Sequence, residues 1–299
     1  GDGSRLLFNG GQINTDLQAD HPAIYGDKIV WSDKRNGNFD IYMYDLSTGE
    51  ETLIVTASGD QIYPDIYGDK IVWEDTRNSD NDIYMYDLST GEETRITNAA
   101  GHQGLPAIYE NKIVWGTRVS FSFDEYVDVY VYDLSTGEET LLTTNSDAWM
   151  YPKIYENKIV WADVRDGYWG DIYMYDLETR QETPVIIESG YDLHPDIYGD
   201  KIVWTSKREE NFDIYLYDLE TRQETRITTN SKVQLFPEIY ENKIVWMDER
   251  NGYLDYDIYL YDLSTGAETR ISCRPGLGEY GPKIYGNRIV WWREGLRGT

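Results

Sequence analysis

The sequence predicts an all-β fold, a seven-bladed β-propeller of four-stranded antiparallel blades. A motif ending in Ile-Val-Trp recurs at steps of 42 to 46 residues, each repeat contains four short strand-like runs, and the chain ends carry the two halves of one more repeat. Self-similarity at this period is typical of repeat architectures, propellers among them. The repeated tryptophans are Trp31, Trp73, Trp115, Trp161, Trp204, Trp246 and Trp291.

One complete repeat illustrates the predicted strands. Residues 63–67, Lys70–Asp75, 82–88 and 93–97 are short runs rich in Ile, Val, Tyr, Trp and Thr, bounded by Gly, Asn, Asp and Ser. The second and third runs are apolar at consecutive positions, so both faces of such a sheet must be covered. Copies of the same sheet arranged in a ring provide that cover and leave few exposed edges.

A proline marks each repeat shortly before its tryptophan. Proline suits the first residue of a strand, where it removes no required donor, so we expect each blade to begin near it. The prolines are Pro22, Pro64, Pro106, Pro152, Pro195, Pro237 and Pro282. The predicted blades span approximately 20–57, 62–98, 104–144, 150–188, 193–229, 235–272 and 280–293, the last completed by 4–16, within one domain, 1–299.

The two ends of the chain explain why seven tryptophans accompany only six complete repeats. Residues 282–285 and 288–292 supply the first two strands of a last blade, and residues 5–9 and 12–15 read as a further hairpin. We therefore predict a ring closed by two N-terminal and two C-terminal strands. A six-bladed ring with a loose hairpin is the alternative, but it would leave the last Ile-Val-Trp exposed.

Composition restricts the partners. With 27 basic and 54 acidic residues the net charge is −27, which argues against nucleic acid and against anionic membrane surfaces. No apolar run approaches about 18 residues, so we expect no membrane insertion. Cys273 is the single cysteine, which excludes an internal disulfide. We expect a monomeric domain of an exported or cell-surface protein, although the N-terminal residues lack the pattern of a signal peptide.

Sequence diversity is confined to two of the four connections in each repeat. The turns after the first and third strands hardly vary, whereas the loops after the second and fourth strands differ in every blade. In an up-and-down blade those two loops emerge on the same face, which we call the variable face; the opposite one is the constant face. Loops on a rigid scaffold are where function usually lies, so the variable face is the predicted binding surface.

Aromatic residues are abundant in the variable loops. Their flat apolar surfaces suit stacking on sugars or anchoring a protein, although they also suit packing over the blades and lining the channel. The candidate contact residues are Trp149, Tyr151, Tyr168, Trp169, Tyr191 and Phe236, supported by Tyr63 and Tyr253, together with His21 and His194.

The three histidines are predicted to lie near the inner rim. His21 and His194 directly precede a marker proline, and His102 lies four residues before one. Histidines converging on a channel can hold a transition metal, but these come from alternate blades without short ligand spacing. We expect no cofactor; a channel metal or calcium is the minor alternative. The recurring Asp-x-Arg after the tryptophan places arginine where a calcium loop requires an oxygen ligand, which favours a charge-paired brace.

Sequence motifs for catalysis are missing. The chain has no GxSxG, HExxH, CxxC or phosphate-loop pattern, and its carboxylates recur in every repeat, as structural residues do. We therefore expect a non-catalytic module. The alternatives are a polysaccharide lyase or hydrolase that uses His21, His102 and His194, and a purely architectural module of a cell envelope.

The unit spanning residues 22–56, P-x-IYGDKIVWxDxRNGNxDIYMYDLSTGEETxIT in consensus, resembles the TolB-like (WD40-like, PD40) propeller repeats. It is most similar to the repeats found in tandem in archaeal cell-surface and surface-layer-associated proteins. The resemblance covers nearly the whole chain. It implies a propeller, export, and interaction with carbohydrate or protein rather than catalysis, and it transfers no catalytic residues.

Overall fold

Seven four-stranded antiparallel sheets surround a central channel in the computed structural model, as predicted. The structure describes residues 5–8, 11–13, 19–118, 127–143, 148–165, 170–186, 190–252, 255–272 and 277–293; at 5, 6, 11, 12, 118, 127 and 148–150 it describes the backbone only. In these ranges no helix has the length and apolarity to cross a membrane. The innermost strands contact one another in sequence around the ring, so the ring is closed.

The strands follow one another in chain order from the inside of each blade to its outer edge. Blades 1 to 3 comprise β3 Ala19–Tyr25, β4 Lys28–Asp33, β5 Asp40–Asp45, β6 Glu50–Val55; β7 Gln61–Tyr67, β8 Lys70–Asp75, β9 Asp82–Asp87, β10 Glu92–Arg95; and β11 His102–Tyr109, β12 Lys112–Arg118, β13 Val127–Asp133, β14 Glu138–Leu141. Blades 4 to 6 comprise β15 Ala148–Tyr155, β16 Lys158–Asp163, β17 Asp171–Asp176, β18 Gln181–Ile186; β19 Asp192–Tyr198, β20 Lys201–Ser206, β21 Asp213–Asp218, β22 Gln223–Arg226; and β23 Gln234–Tyr240, β24 Lys243–Asp248, β25 Asp257–Asp262, β26 Ala267–Arg270.

Blade 7 is built from both ends of the chain, which confirms the predicted closure. Its order is β27 (Glu279–Tyr285), β28 (Arg288–Arg293), β1 (Arg5–Phe8) and β2 (Gly11–Gln12). Leu7 pairs with Trp291 across the junction and is 6% exposed in the core between blades 6 and 7.

The Ile-Val-Trp motif forms the core between blades. In blade 1, Val30 faces blade 2 and packs with Trp73, whereas Ile29 and Trp31 face blade 7 and pack with Val290. All five are fully buried. The alternation of side chains along one strand thus supplies apolar surface to both neighbouring blades, which is why the motif is apolar throughout.

An arginine brace joins three of the four strands within a blade. In blade 2, Asp75 accepts hydrogen bonds from Trp73 Nε1 at 2.9 Å and from Arg77 Nη2 at 2.7 Å, and Arg77 Nη1 contacts Glu93 at 2.6 Å. The guanidinium lies 4.3 Å from the ring centroid of Tyr84. Blades 1, 4 and 6 repeat the brace through Arg35, Arg165 and Arg250, so the predicted charge-paired brace is present.

The marker prolines lie inside the first strands rather than at their beginnings, so the predicted position was wrong. In blade 1, Asp20 pairs with Ser32 and Ala23 with Val30, and the intervening residues form a bulge that contains Pro22. Since a bulge leaves a residue without a ladder partner, proline is tolerated there without the loss of a required hydrogen bond. Each first strand therefore begins three or four residues before its proline.

Candidate functional site

The residue before each marker proline has a positive φ in all seven blades. The residue before proline avoids the right-handed helical region, and the bulge makes the chain turn at this point. Left-handed conformations are unfavourable for residues other than glycine and are retained where the surroundings hold them. The φ values are 49° at His21, 53° at Tyr63, 54° at Leu105, 121° at Tyr151, 52° at His194, 53° at Phe236 and 57° at Gly281.

In blades 3 and 6, contacts from the preceding blade hold this conformation. Thr205 Oγ1 of blade 5 accepts a hydrogen bond from the backbone N–H of Phe236 in blade 6 at 3.2 Å. Glu74 Oε2 of blade 2 accepts one from Leu105 N in blade 3 at 3.3 Å. Each acceptor directly follows the repeated tryptophan, so the blade interface orients the side chains that face the channel.

These residues surround an axial funnel of about 350 Å³ on the variable side of the channel. Its rim is largely aromatic. The rings of His21 and Tyr63 pack at a tilt with their centroids 4.2 Å apart, and the ring of His194 lies 3.9 Å from that of Phe236 and 5.0 Å from that of Tyr151. A concave, mostly apolar cavity with a few polar groups is the usual form of a small-ligand site.

The deep part of the funnel is charged. The residue after each marker proline faces the channel at the register position opposite the valine of Ile-Val-Trp. This ring comprises Ala23, Asp65, Ala107, Lys153, Asp196, Glu238 and Lys283. Asp65, Lys153, Glu238 and Lys283 line the funnel directly, and Asp196 is 8% exposed beside them.

Seven tyrosines encircle the axis at the constant-face end of the channel. Each is the last residue of a first strand, and neighbouring rings lie 4.6–4.9 Å apart all the way around. Burial raises the pKa of Tyr198 to about 12, so its phenol stays neutral at physiological pH. None of the seven lines the funnel, which therefore opens toward the variable face. The ring comprises Tyr25, Tyr67, Tyr109, Tyr155, Tyr198, Tyr240 and Tyr285.

Burial controls the ionisation of the rim. It lowers the pKa of His194 to about 4, and together with the charge of Lys283 it lowers that of His21 to about 4. Burial also raises the pKa of Tyr63 to about 12. The aromatic rim is therefore uncharged at neutral pH, and formal charge in the funnel is confined to its deep end.

Half of the predicted contact residues come together in this funnel: His21, Tyr63, Tyr151, His194 and Phe236. Tyr191 lies apart from it and packs against Phe212 with centroids 6.1 Å apart. Trp149 belongs to β15, where only its backbone is described. Tyr168, Trp169 and Tyr253 lie outside the described residues.

The third histidine does not join the other two. His102 is the first residue of β11, opposite Arg118, and does not line the funnel that His21 and His194 share. Within the described part of the chain, no group of three or more His, Cys, Asp or Glu side chains is arranged to hold a metal ion.

Two features of the site were not identified from the sequence. The charged ring is visible as the variable residue in Pro-x-Ile-Tyr, which changes from Ala to Asp, Lys or Glu between repeats. The tyrosine ring is the invariant last residue of the same unit. Both signals are present in the sequence, but placing them on the axis requires the strand direction and the bulge.

Comparisons with known proteins show the fold. No protein-family model matches the sequence, and no curated protein does. Among solved structures, the propeller domain of the Trilobed protease from Pyrococcus furiosus is 16% identical, with a TM-score of 0.67, over 86% of this chain and 82% of that one. A putative TolB from Agrobacterium tumefaciens is 17% identical, with a TM-score of 0.62, over 85% and 97%.

The similarity extends to propellers of enzymes. An oligogalacturonate lyase in complex with manganese is 15% identical, with a TM-score of 0.59, over 91% of this chain and 86% of that one. The chain spans 28% of the length of the tricorn protease, which it also matches. The chain therefore has the propeller fold that TolB shares with peptidases and lyases, and identities this low show the fold alone.

Proposed function

We propose that this propeller is a non-catalytic binding module of an exported or cell-surface protein, which takes a carbohydrate or protein ligand on its variable face. The observation that carries the proposal is the axial funnel. Five pre-proline side chains form its aromatic and imidazole rim, each on a backbone in the left-handed region. A rim that is ordered before the ligand arrives reduces the entropy lost on binding.

The electrostatics of the funnel favour binding over acid–base catalysis. With a pKa of about 4, His21 and His194 are weak bases at neutral pH, whereas an efficient general base has a pKa near the working pH. The deep carboxylate Glu238 is engaged by Lys153 and Lys283. Export and a cell-surface location are supported by the resemblance of the repeats to those of archaeal surface proteins.

The proposal is tested by binding of the purified protein to a glycan array and to immobilised cell-envelope proteins. The double variant Tyr151→Ala, Phe236→Ala should weaken binding about 10-fold or more, since two stacking surfaces are lost. The matched control is Leu53→Ala, Leu141→Ala on the outer strands, where both leucines are more than 40% exposed. Equal binding by the funnel variant and the control would contradict the site.

The predicted contact residues that lie in the variable loops outside the funnel are tested separately. If the ligand extends over the variable loops, the variant Trp149→Ala, Trp169→Ala should weaken binding further, and Tyr191→Ala should do so by a smaller amount. Light scattering on the same samples tests whether the domain is monomeric. Concentration-dependent self-assembly without a ligand would favour the architectural alternative instead.

A lyase or hydrolase is the second candidate, because two of the three predicted histidines line the funnel of a fold that an oligogalacturonate lyase shares. Turnover of uronate-containing oligosaccharides that His194→Ala abolishes would support it. The binding proposal expects no turnover by the native protein at any pH between 5 and 8.

A further inference from the structure

The charges at the deep end of the funnel do not balance. Five of the seven residues in the ring are ionisable, and three carboxylates face two lysines. Both lysines form ion pairs with Glu238 Oε1: Lys153 Nζ lies 3.5 Å from it, and Lys283 Nζ lies closer. One carboxylate therefore remains in excess of the cations in this ring.

The two aspartates are held mainly by backbone donors. Asp65 Oδ2 accepts a hydrogen bond from Ile108 N at 2.9 Å, and Asp196 Oδ2 accepts one from Ile239 N at 2.8 Å. The blades on either side of Asp65 contribute only the methyl groups of Ala23 and Ala107 to the ring. Asp65 lines the funnel and neither lysine is within ion-pair distance of it, although the charges of Lys153 and Lys283 act on it across the channel. It is therefore the carboxylate that a ligand can reach without displacing a lysine.

An excess carboxylate in a buried site is unfavourable unless it binds a proton or a cation. The raised pKa values of the two aspartates correspond to the binding of a proton. Burial raises the pKa of Asp65, and burial followed by the charge of Glu238 raises that of Asp196 to about 7. A cationic ligand would displace this proton and neutralise the carboxylate in its place.

The rim above this ring suits the same ligand. The post-proline residues follow the rim residues along each first strand toward the constant face, so the charges lie deeper in the funnel than the aromatic rim. The faces of Tyr63, Tyr151 and Phe236 attract cations, and the neutral histidines beside them do not repel one. A ligand that reaches Asp65 must pass between these rings.

We propose that the funnel takes one alkylammonium group, the lysine side chain of a partner protein, with its nitrogen beside Asp65 and its methylene stem between the aromatic rings of the rim. The inference rests on the proposed binding function and narrows its ligand. A lysine stem is thin and apolar and carries its charge at the far end, which matches a rim that is apolar and a floor that is anionic. An amino sugar carries its ammonium directly on the ring, so the whole sugar would have to pass the rim.

Calorimetric titration with n-butylammonium chloride tests the inference, with n-butanol as the uncharged probe of equal length. Butylammonium should bind and butanol should not. Asp65→Asn keeps the acceptor for Ile108 N and removes the charge; it should weaken butylammonium binding about 10-fold or more. The matched control is Asp69→Asn, a carboxylate with a 56% exposed side chain on the constant face, which should leave binding unchanged.

Several outcomes overturn the inference. Butanol binding as tightly as butylammonium, or Asp65→Asn binding like the native protein, would exclude recognition of the charge at Asp65. Glucosamine binding more tightly than Nα-acetyl-lysine amide would exclude a lysine as the ligand. If Asp65→Asn does not fold, the native protein gives the same test, because binding must weaken from pH 8 to pH 5 as the carboxylates take up protons.

Failure of this inference is distinguishable from failure of the proposed function. If butylammonium does not bind but Tyr151→Ala, Phe236→Ala still abolishes capture of a glycan or protein, the funnel remains the site and only the ammonium group is wrong. If neither experiment shows an effect of the funnel, both proposals fail.

Discussion

At the scale of single residues, the aspartate two positions after the repeated tryptophan holds a blade together. Asp75 is fully buried, yet it accepts hydrogen bonds from the indole of Trp73 and from the backbone and side chain of Arg77. A buried carboxylate is tolerated because all of these donors converge on it. The outer end of the brace at Glu93 lies in solvent and contributes far less.

This difference predicts the effects of two substitutions in one brace. Asp75→Ala leaves the buried indole N–H and the guanidinium without their acceptor and should destabilise the protein by about 2–4 kcal/mol. Glu93→Ala, the control in the same brace, should cost less than about 1 kcal/mol. Urea unfolding of both variants measures the two values, and equal losses would contradict a brace centred on the aspartate.

Blade 5 contains the same brace with its acid moved to the other strand. Ser206 stands where the other braces have aspartate, and Trp204 Nε1 donates instead to Asp192 on the first strand at 3.0 Å. Asp192 and Ser206 are directly paired, as Gln61 and Asp75 are in blade 2. Blade 5 therefore has its aspartate on the first strand and its uncharged residue on the second, the reverse of blade 2. The indole of its tryptophan still donates to a carboxylate.

The exchange should be reversible by mutation. Asp192→Gln alone removes the charged acceptor of Trp204 and should destabilise the protein by about 1–3 kcal/mol. Adding Ser206→Asp rebuilds the arrangement of blade 2 and should recover most of that loss. Thermal melting of the single and double variants tests this, and a double variant less stable than the single one would refute the equivalence.

At the scale of elements, the strand pattern was predictable from the repeats, whereas the path of the first strand was not. Alternation in residues 63–67 indicates a strand beginning next to the proline, but the strand Gln61–Tyr67 begins earlier and is continuous through a bulge. A bulge depends on how two strands pair, and a proline in a single sequence is equally consistent with a strand end. The left-handed residues of the rim follow from that bulge and were missed with it.

The closure of blade 7 depends on a short strand with few pairing partners. Leu7→Ala, in β1, removes buried apolar surface from the core between blades 6 and 7 and should destabilise the protein by about 2–4 kcal/mol. The matched control is Leu53→Ala in the outer strand of blade 1, where the side chain is 43% exposed; it should cost about 0.5 kcal/mol or less. Denaturant unfolding compares them. Similar small losses would show that the N-terminal strand is not needed to close the ring.

At the scale of the whole molecule, the seven tyrosines form a continuous ring that only the closed propeller can build. Burial raises the pKa of Tyr25, Tyr198 and Tyr285 among them. A phenol whose pKa is raised in the folded state stabilises the protein fully below its unfolded pKa of about 10, and that stabilisation is lost as the pH rises further.

An absorbance titration of tyrosinate should therefore show two phases. Exposed tyrosines ionise at about pH 10, whereas ring members with a raised pKa, such as Tyr198 at about 12, ionise later or together with unfolding. The same protein in concentrated denaturant is the control and should titrate in one phase. A single phase in the folded protein would contradict the buried ring.

Buried carboxyls and buried histidines respond to mild acidification in opposite senses. Burial raises the pKa of Asp192 to about 6, and burial with the charge of Glu238 raises that of Asp196 to about 7. Raised carboxyl pKa values mean that stability is greatest below the unfolded value of about 4 and is lost as the pH rises through 6 and 7. His21 and His194, whose pKa values burial lowers to about 4, act in the opposite sense, because the stability that they contribute is lost as the pH falls from about 6.5 toward 4.

Urea unfolding at pH 5 and pH 7.5 measures this effect. Comparison with Asp192→Asn, which keeps an acceptor for Trp204, isolates one carboxyl from the two histidines. Between pH 5 and pH 7.5 this variant should lose about 1 kcal/mol less stability than the native protein, because the ionisation of Asp192 no longer contributes. The same change in the free energy of unfolding for both proteins would contradict a raised pKa at Asp192.

The sequence was sufficient to predict the whole architecture but only part of the site. The seven repeated tryptophans predicted seven blades, and the half-repeats at the two chain ends predicted how the ring closes. Both predictions succeeded because these apolar residues are buried only in a closed ring. His21, Tyr63, Tyr151, His194 and Phe236 were predicted from their type and place, whereas Asp65, Lys153 and Lys283 were not. Side chains separated by 40 residues or more come together on the axis only when the ring is closed, and no local sequence pattern predicts which of them will be in contact.

Binding along the axis from the variable face is tested most directly by a crystal structure of the protein grown with n-butylammonium chloride. We expect electron density for one ammonium beside Asp65, with its alkyl chain between Tyr151 and Phe236. An empty funnel in crystals whose ligand occupies the outer strands or the constant face would contradict axial binding.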